Sequence, residues 1–123
     1  MSAPLASASP GIGSIILERA GEVAETLVAR QFERDPQLEV RYGKRGRDRC
    51  LEDAKYHLSY LADAVANDRP DHFAGYVAFV REMLARRGVM HLDESLGALR
   101  EASADLLPEP ARSSALRVLA VRE

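Results

Sequence analysis

The stretch from Arg41 to Cys50, RYGKRGRDRC, sets five basic side chains and two glycines against a single acid. Such a composition is suited to gripping phosphate, because guanidinium groups and open backbone N–H groups both favour anions. A phosphate loop, however, needs a glycine-rich turn between a strand and a helix that ends in Gly-Lys-Ser/Thr. Here Lys44 follows Gly43, but Arg45 stands where the hydroxyl belongs, and no strand-like alternation precedes it. What remains is a helix entrance carrying Arg45, Arg47 and Arg49, where cations oppose the helix dipole. Glu52 and Asp53, one turn on, relieve that conflict at three- and four-residue spacing. The stretch therefore reads first as a solvated turn with intrahelical ion pairs, and second as a contact for an anionic partner. No second basic face or stacking aromatic accompanies it, which argues against specific nucleic-acid binding.

The other chemistry-bearing residues are sparse. His57 lies about 80° from the centre of the apolar stripe of its helix, at about 100° per residue. Its plain reading is an edge-of-core histidine hydrogen-bonded to a carbonyl or an acid. Its sharper reading is an axial ligand for a tetrapyrrole. His72 falls in an acidic first turn and His91 in a loop, so both are expected to face solvent. No two histidines are three or four residues apart, so a helix-borne metal site is not expected. Cys50, the lone cysteine, sits seven residues from His57, too far to chelate one ion comfortably, and has no evident base partner. Tyr56 and Tyr60 are four apart and point almost opposite to the stripe, on the side of Asp53 and Asp63. A monomer usually leaves such a face to charged residues, so the pair predicts a second contact: another helix, or the centre of a homodimer interface flanked by Asp53 and Asp63, with a platform for a ligand as the lesser alternative.

The elements that must hold these residues are helices. Ser14 as cap, with Ile16, Ala20, Val23 and Leu27 recurring at helical spacing, predicts a helix over 14–32. Asp35-Pro36 opens a short helix through Leu38 and Val40 that Gly43 ends. Leu51, Ala54, Leu58, Leu61 and Val65 form one stripe of a helix over 46–67. Asp68 and Pro70 start the next, over 70–87, where Phe73, Tyr76, Val77, Phe79, Val80, Met83 and Leu84 spread over nearly half the circumference and predict a central element; Gly88 stops it. Leu92, Leu96, Leu99, Ser103 and Leu106 mark a helix over 93–107, and Pro110 starts a last one to 121 carrying Leu116 and Leu119. No strand alternation or tandem repeat is visible. The expected fold is all-α, a compact helical bundle or globin-like stack of about five helices, with 1–13 a disordered tail and 14–123 a single domain.

Composition narrows the function. The chain has 123 residues, a net charge of −2 and a pI near 5.9. A dedicated nucleic-acid domain typically lies above about pI 9. One cysteine leaves no internal disulfide and suits a reducing cytoplasm. Neither a signal-peptide layout nor a run of about 18 apolar residues is present, so no membrane span is expected.

The run RYGKRGRDRCLEDAKYHLSYLADAVANDRPDHFAGYVAFVREMLARRGV, with LLPEPA downstream, resembles a small helical domain of bacterial regulators that precedes cobalamin-binding or related sensory domains. The resemblance spans residues 15 to 121 and implies a regulatory, dimerising role in signalling. The Asp-x-His-x-x-Gly signature of base-off cobalamin binding is absent, so the chain by itself is not expected to bind cobalamin that way and no cofactor is assigned to it. Three functions stand in order. The first is a non-enzymatic regulatory module acting through a homodimer or a signalling partner. The second is a globin-like binder of a tetrapyrrole or other apolar ligand, with His57, Phe73, Tyr76, Phe79 and Met83 lining the pocket. An enzyme comes last, because no paired acid and base or nucleophile is visible.

Overall fold

The computed structural model describes residues 10–88 and 91–121. Within them the chain is an all-α bundle of six helices with no strand: α1 (Pro10–Glu18), α2 (Ala20–Arg34), α3 (Gln37–Ala66), α4 (Pro70–Arg86), α5 (Leu92–Leu106) and α6 (Ala111–Leu119). Helix α3 is the hub and packs against α1, α2, α4 and α6, while α2 also lies along α5. Its stripe explains this position: Ala54, Leu58, Leu61 and Val65 are buried and Leu51 is half-buried. Removing one leucine side chain from water contributes about 1.5–3 kcal/mol, so Leu58 and Leu61, both 0% exposed, anchor the core.

Several boundaries differ from those read in the sequence. The first helix begins at Pro10, inside the segment expected as a tail, so Ser14 is an exposed mid-helix residue rather than a cap; residues 1–9 lie outside those described. The expected 14–32 helix is two helices, broken at Arg19 (φ −96°, ψ 0°). The stripe residues Ile16, Val23 and Leu27 are nonetheless buried, because the break redirects α1 across α3 without taking Ile16 from the core. Gly13 makes that crossing close: a Cβ there would stand 2.9 Å from the Ala62 carbonyl oxygen and 2.9 Å from Ala66 Cβ.

The short 36–43 helix and the 46–67 helix run into one another as α3, with a kink at Gly43 (φ 64°, ψ −161°). That conformation is essentially restricted to glycine. Gly46 completes the bend, since a Cβ there would collide with Tyr42 Cβ. Asp35 does cap the entry, its Oδ1 accepting the Gln37 N–H at 3.2 Å. Asp68, in contrast, does not cap α4. It takes a positive φ of 51° and pairs with Arg117 of α6 at 3.6 Å, while Asp71 in the first turn pairs with Arg69 at 2.9 Å. Gly88, at φ 74°, ends α4. This helix is not the central element its wide apolar face implied: Phe73, Val77 and Val80 are buried, but Phe79 is 66% exposed and Tyr76, Met83 and Leu84 only half-buried. In α6 the inward positions are Ala111, Ala115 and Val118, with Leu116 and Leu119 half-buried beside them. No helix among the described residues is long and apolar enough to cross a membrane.

Candidate functional site

The surplus apolar surface of α4 faces a cleft rather than a neighbouring helix. The cleft encloses about 360 Å³ between α3, α4 and the start of α5. Helix α3 contributes Arg49, Cys50, Asp53, Tyr56, His57 and Tyr60, and α4 with its C-cap contributes Tyr76, Phe79, Val80, Met83, Leu84 and Arg87. Both sets recur at three- and four-residue spacing, so each is one side of its helix. His91, Leu92 and Ser95 close one end, and Gln31 reaches the cleft from α2.

The polar centre of the cleft is a hydrogen bond of 2.6 Å between His57 Nδ1 and the Tyr76 hydroxyl, one ring from each main helix. The partner is thus a phenol, not the carbonyl or acid expected for an edge-of-core histidine. His57 is buried, 4% exposed, because its ring lies under α4 at the border of the core. Burial pushes its pKa from 6.5 down to about 4, so the ring is neutral near pH 7. Burial, with Asp53 and Tyr60 nearby, pushes the Tyr76 phenol well up. The pair is therefore a neutral hydrogen-bonding unit, since a general base is most effective with a pKa near the working pH. Tyr60 stacks on Tyr76 with ring centroids 4.0 Å apart and planes 13° from parallel. Tyr60 therefore leans towards α4 instead of pointing away from the core. It stays 48% exposed and Tyr56 59%, and neither the first part of α3 nor α6 folds over them.

Of the residues singled out in the sequence for a pocket, His57, Tyr76, Phe79 and Met83 share this cleft. Phe73 does not. It is 3% exposed, one turn before Tyr76, and lines a separate hollow of about 570 Å³ with Leu96 and Leu119. Of the residues assigned to an interface, Tyr56, Tyr60 and Asp53 line the cleft; Asp63 is exposed elsewhere and accepts a hydrogen bond from the Asn67 amide at 3.1 Å. Arg45, Arg47 and Arg49, the candidate anion contacts of the basic stretch, do not converge on one point. Arg47 pairs with Glu39 at 3.6 Å and lies over the Phe32 ring at 5.0 Å, and Arg49 pairs with Asp53 at 3.8 Å. Arg45 is exposed without a partner among the described residues, and Lys44 pairs with Asp48 at 3.4 Å.

His72 is exposed, but His91 is half-buried at the head of α5, with Nε2 3.3 Å from the Tyr42 hydroxyl. Burial raises the Cys50 thiol, which keeps it a poor nucleophile near neutral pH. Among the described residues, no three His, Cys, Asp or Glu side chains cluster closely enough to hold a metal ion. Gln31, Arg87 and Ser95 were not assigned to a site from the sequence. Gln31 had a legible signal, as the one polar residue on the stripe of Ala24, Leu27, Val28 and Phe32. The others join the cleft only because the end of α4 and the start of α5 both border it. Comparison with models of protein families, with curated proteins and with solved structures finds no match.

Proposed function

We propose that this chain is a non-catalytic cytoplasmic regulatory module whose input is a small, mainly apolar molecule held between α3, α4 and α5. The observation that carries this reading is the cleft itself: about 360 Å³, walled by Val80, Met83, Leu84 and Leu92 around the neutral His57–Tyr76 pair. Apolar walls with a few convergent polar groups are the usual make-up of a ligand site. A histidine of pKa about 4 beside a phenol that holds its proton favours recognition over proton transfer. The volume lies at the low end of the range of about 300–1,000 Å³ for such sites, which favours a compact ligand over a tetrapyrrole. The resemblance to helical domains of bacterial regulators supports a signalling role. Titration with the fluorescent probe 1-anilinonaphthalene-8-sulfonate tests the reading. Saturable one-site binding to the folded protein, lost when Met83→Trp fills the cleft, supports it; no binding, or binding indifferent to Met83→Trp, refutes it.

A second reading is favoured by one specific feature. Tyr56, Tyr60 and Phe79, each about half exposed or more, gather at the mouth of the cleft. Two-fold pairing of this mouth would bury six rings and form a homodimer. Sedimentation of the wild type and of Tyr56→Glu/Tyr60→Glu tests it: a dimer that becomes a folded monomer supports the reading, and a monomeric wild type ends it.

A further inference from the structure

Gln31 is buried, 7% exposed, on the otherwise apolar inner stripe of α2. Its backbone carbonyl accepts the Asp35 N–H at 3.1 Å, yet among the described residues its side-chain amide makes no hydrogen bond. His57 is in the same state: Nδ1 is taken by Tyr76 and Nε2 has no partner among the described residues. Ser103 Oγ is the one fully enclosed side-chain polar atom without a partner among the described residues. The Gln31 amide and His57 Nε2 therefore each keep a trace of open surface; Gln31 also borders a second hollow of about 360 Å³ beside Leu38 and Ala98, but the space that both residues line is the cleft. A polar group stripped of bulk water and left unpaired is destabilising, and a ligand that pairs with it recovers the loss.

The chemistry of those two groups names the ligand class. An amide carries an acceptor oxygen beside a donor NH₂, and its planar complement is an edge with a donor next to an acceptor. Lactams and amino-imine heterocycles have that edge. Flat rings suit the rest of the cleft, where Val80 and Leu84 form apolar walls and the exposed rings of Tyr56 and Phe79 offer stacking surfaces at the mouth. The cations at the rim do not call for an anionic ligand: Arg49 pairs with Asp53 at 3.8 Å, and Arg87 also acts on that carboxylate. Taking the cleft as the ligand site, we propose that it binds a flat heteroaromatic compound of about two or three fused rings carrying a lactam-type edge. Gln31 reads that edge with both amide atoms, and His57 Nε2 supplies a second polar contact.

The experiment is calorimetric titration of the whole chain with phenanthridin-6(5H)-one and with its N-methyl derivative, which has the same body but no donor. The wild type is expected to bind the lactam at least about tenfold more tightly, the scale of one bidentate amide contact. In Gln31→Leu, lactam affinity falls about tenfold to that of the N-methyl compound, whose own affinity is unchanged. The melting temperature of this variant is expected to match or exceed that of the wild type, because leucine suits the stripe and no unpaired amide remains. Equal binding of both compounds, lost in Met83→Trp but untouched by Gln31→Leu, overturns the edge assignment while leaving the cleft as a ligand site. Binding of neither compound overturns both. A Gln31→Leu variant that melts well below the wild type gives the amide a structural role and likewise overturns the proposal.

Discussion

Lowering the pH from about 7 to about 5 is expected to destabilise the protein through His57 more than through any other group. In the unfolded chain its imidazole has the ordinary pKa of 6.5, and in the folded chain burial holds it at about 4. Between those values the unfolded state binds the extra proton, so stability rises with pH across that window and is lost on acidification. Integrating the difference gives a loss of about 2 kcal/mol at pH 5 and about 3 kcal/mol once the pH falls below the folded value. His57 is only 4% exposed, so solvent screening does not shrink the effect. The carboxylates of Asp71, Glu101 and Glu109 are held below their usual range, chiefly by hydrogen bonds from Arg69, Arg34 and Ser113 respectively, so their contributions are lost as the pH falls through the ordinary carboxylate values of 3.8 to 4.5, at the acid end of the histidine window and beneath it. Asp53 has the opposite sign, because burial raises its carboxyl and the folded state then holds the proton more tightly. Urea unfolding at several pH values, for the wild type and for His57→Gln, separates these effects. Glutamine can keep a hydrogen bond to Tyr76 but does not titrate. The wild type should lose about 2 kcal/mol more than the variant on going from pH 7 to pH 5. Equal losses would refute the assignment of a buried, neutral histidine.

Truncating Leu58 or Leu61 to alanine should cost about 2–5 kcal/mol each, read from denaturant midpoints; a loss well below about 1 kcal/mol for both would mean that the stripe does not face the core. Gly43→Ala should cost about 1–3 kcal/mol, because alanine does not tolerate the backbone at the kink in α3; an unchanged midpoint would mean that α3 does not need this bend.

The core was legible because its signal is periodic. Leu51, Ala54, Leu58, Leu61 and Val65 share a stripe in any α-helix, whatever surrounds it, and four of them are buried with Leu51 at the edge. The break at Arg19 was not legible: the apolar spacing continues across it, and no proline or positive-φ glycine marks it. At Gly43 the signal was present but ambiguous, since a glycine that ends a helix and one that kinks it look alike in sequence. The site divides in the same way. His57, Tyr76, Phe79 and Met83 project to one cleft because α3 and α4 are antiparallel neighbours across a short turn, which local patterns predict. Phe73 shares the apolar face of α4, but that face is wide enough to serve two hollows, and only packing decides which residue serves which. Gln31 joins the site from a helix distant in sequence, which no local pattern shows.

The most direct measurement is an NMR titration of the isotopically labelled chain with a small flat aromatic probe such as phenanthridin-6(5H)-one, recording which backbone amides move. The cleft account predicts saturable shifts at Gln31 and across residues 49–60, 76–87 and 91–95, the segments that wall the cleft. Shifts centred instead on the hollow lined by Phe73, Leu96 and Leu119, or no shifts at the solubility limit of the probe, would contradict it.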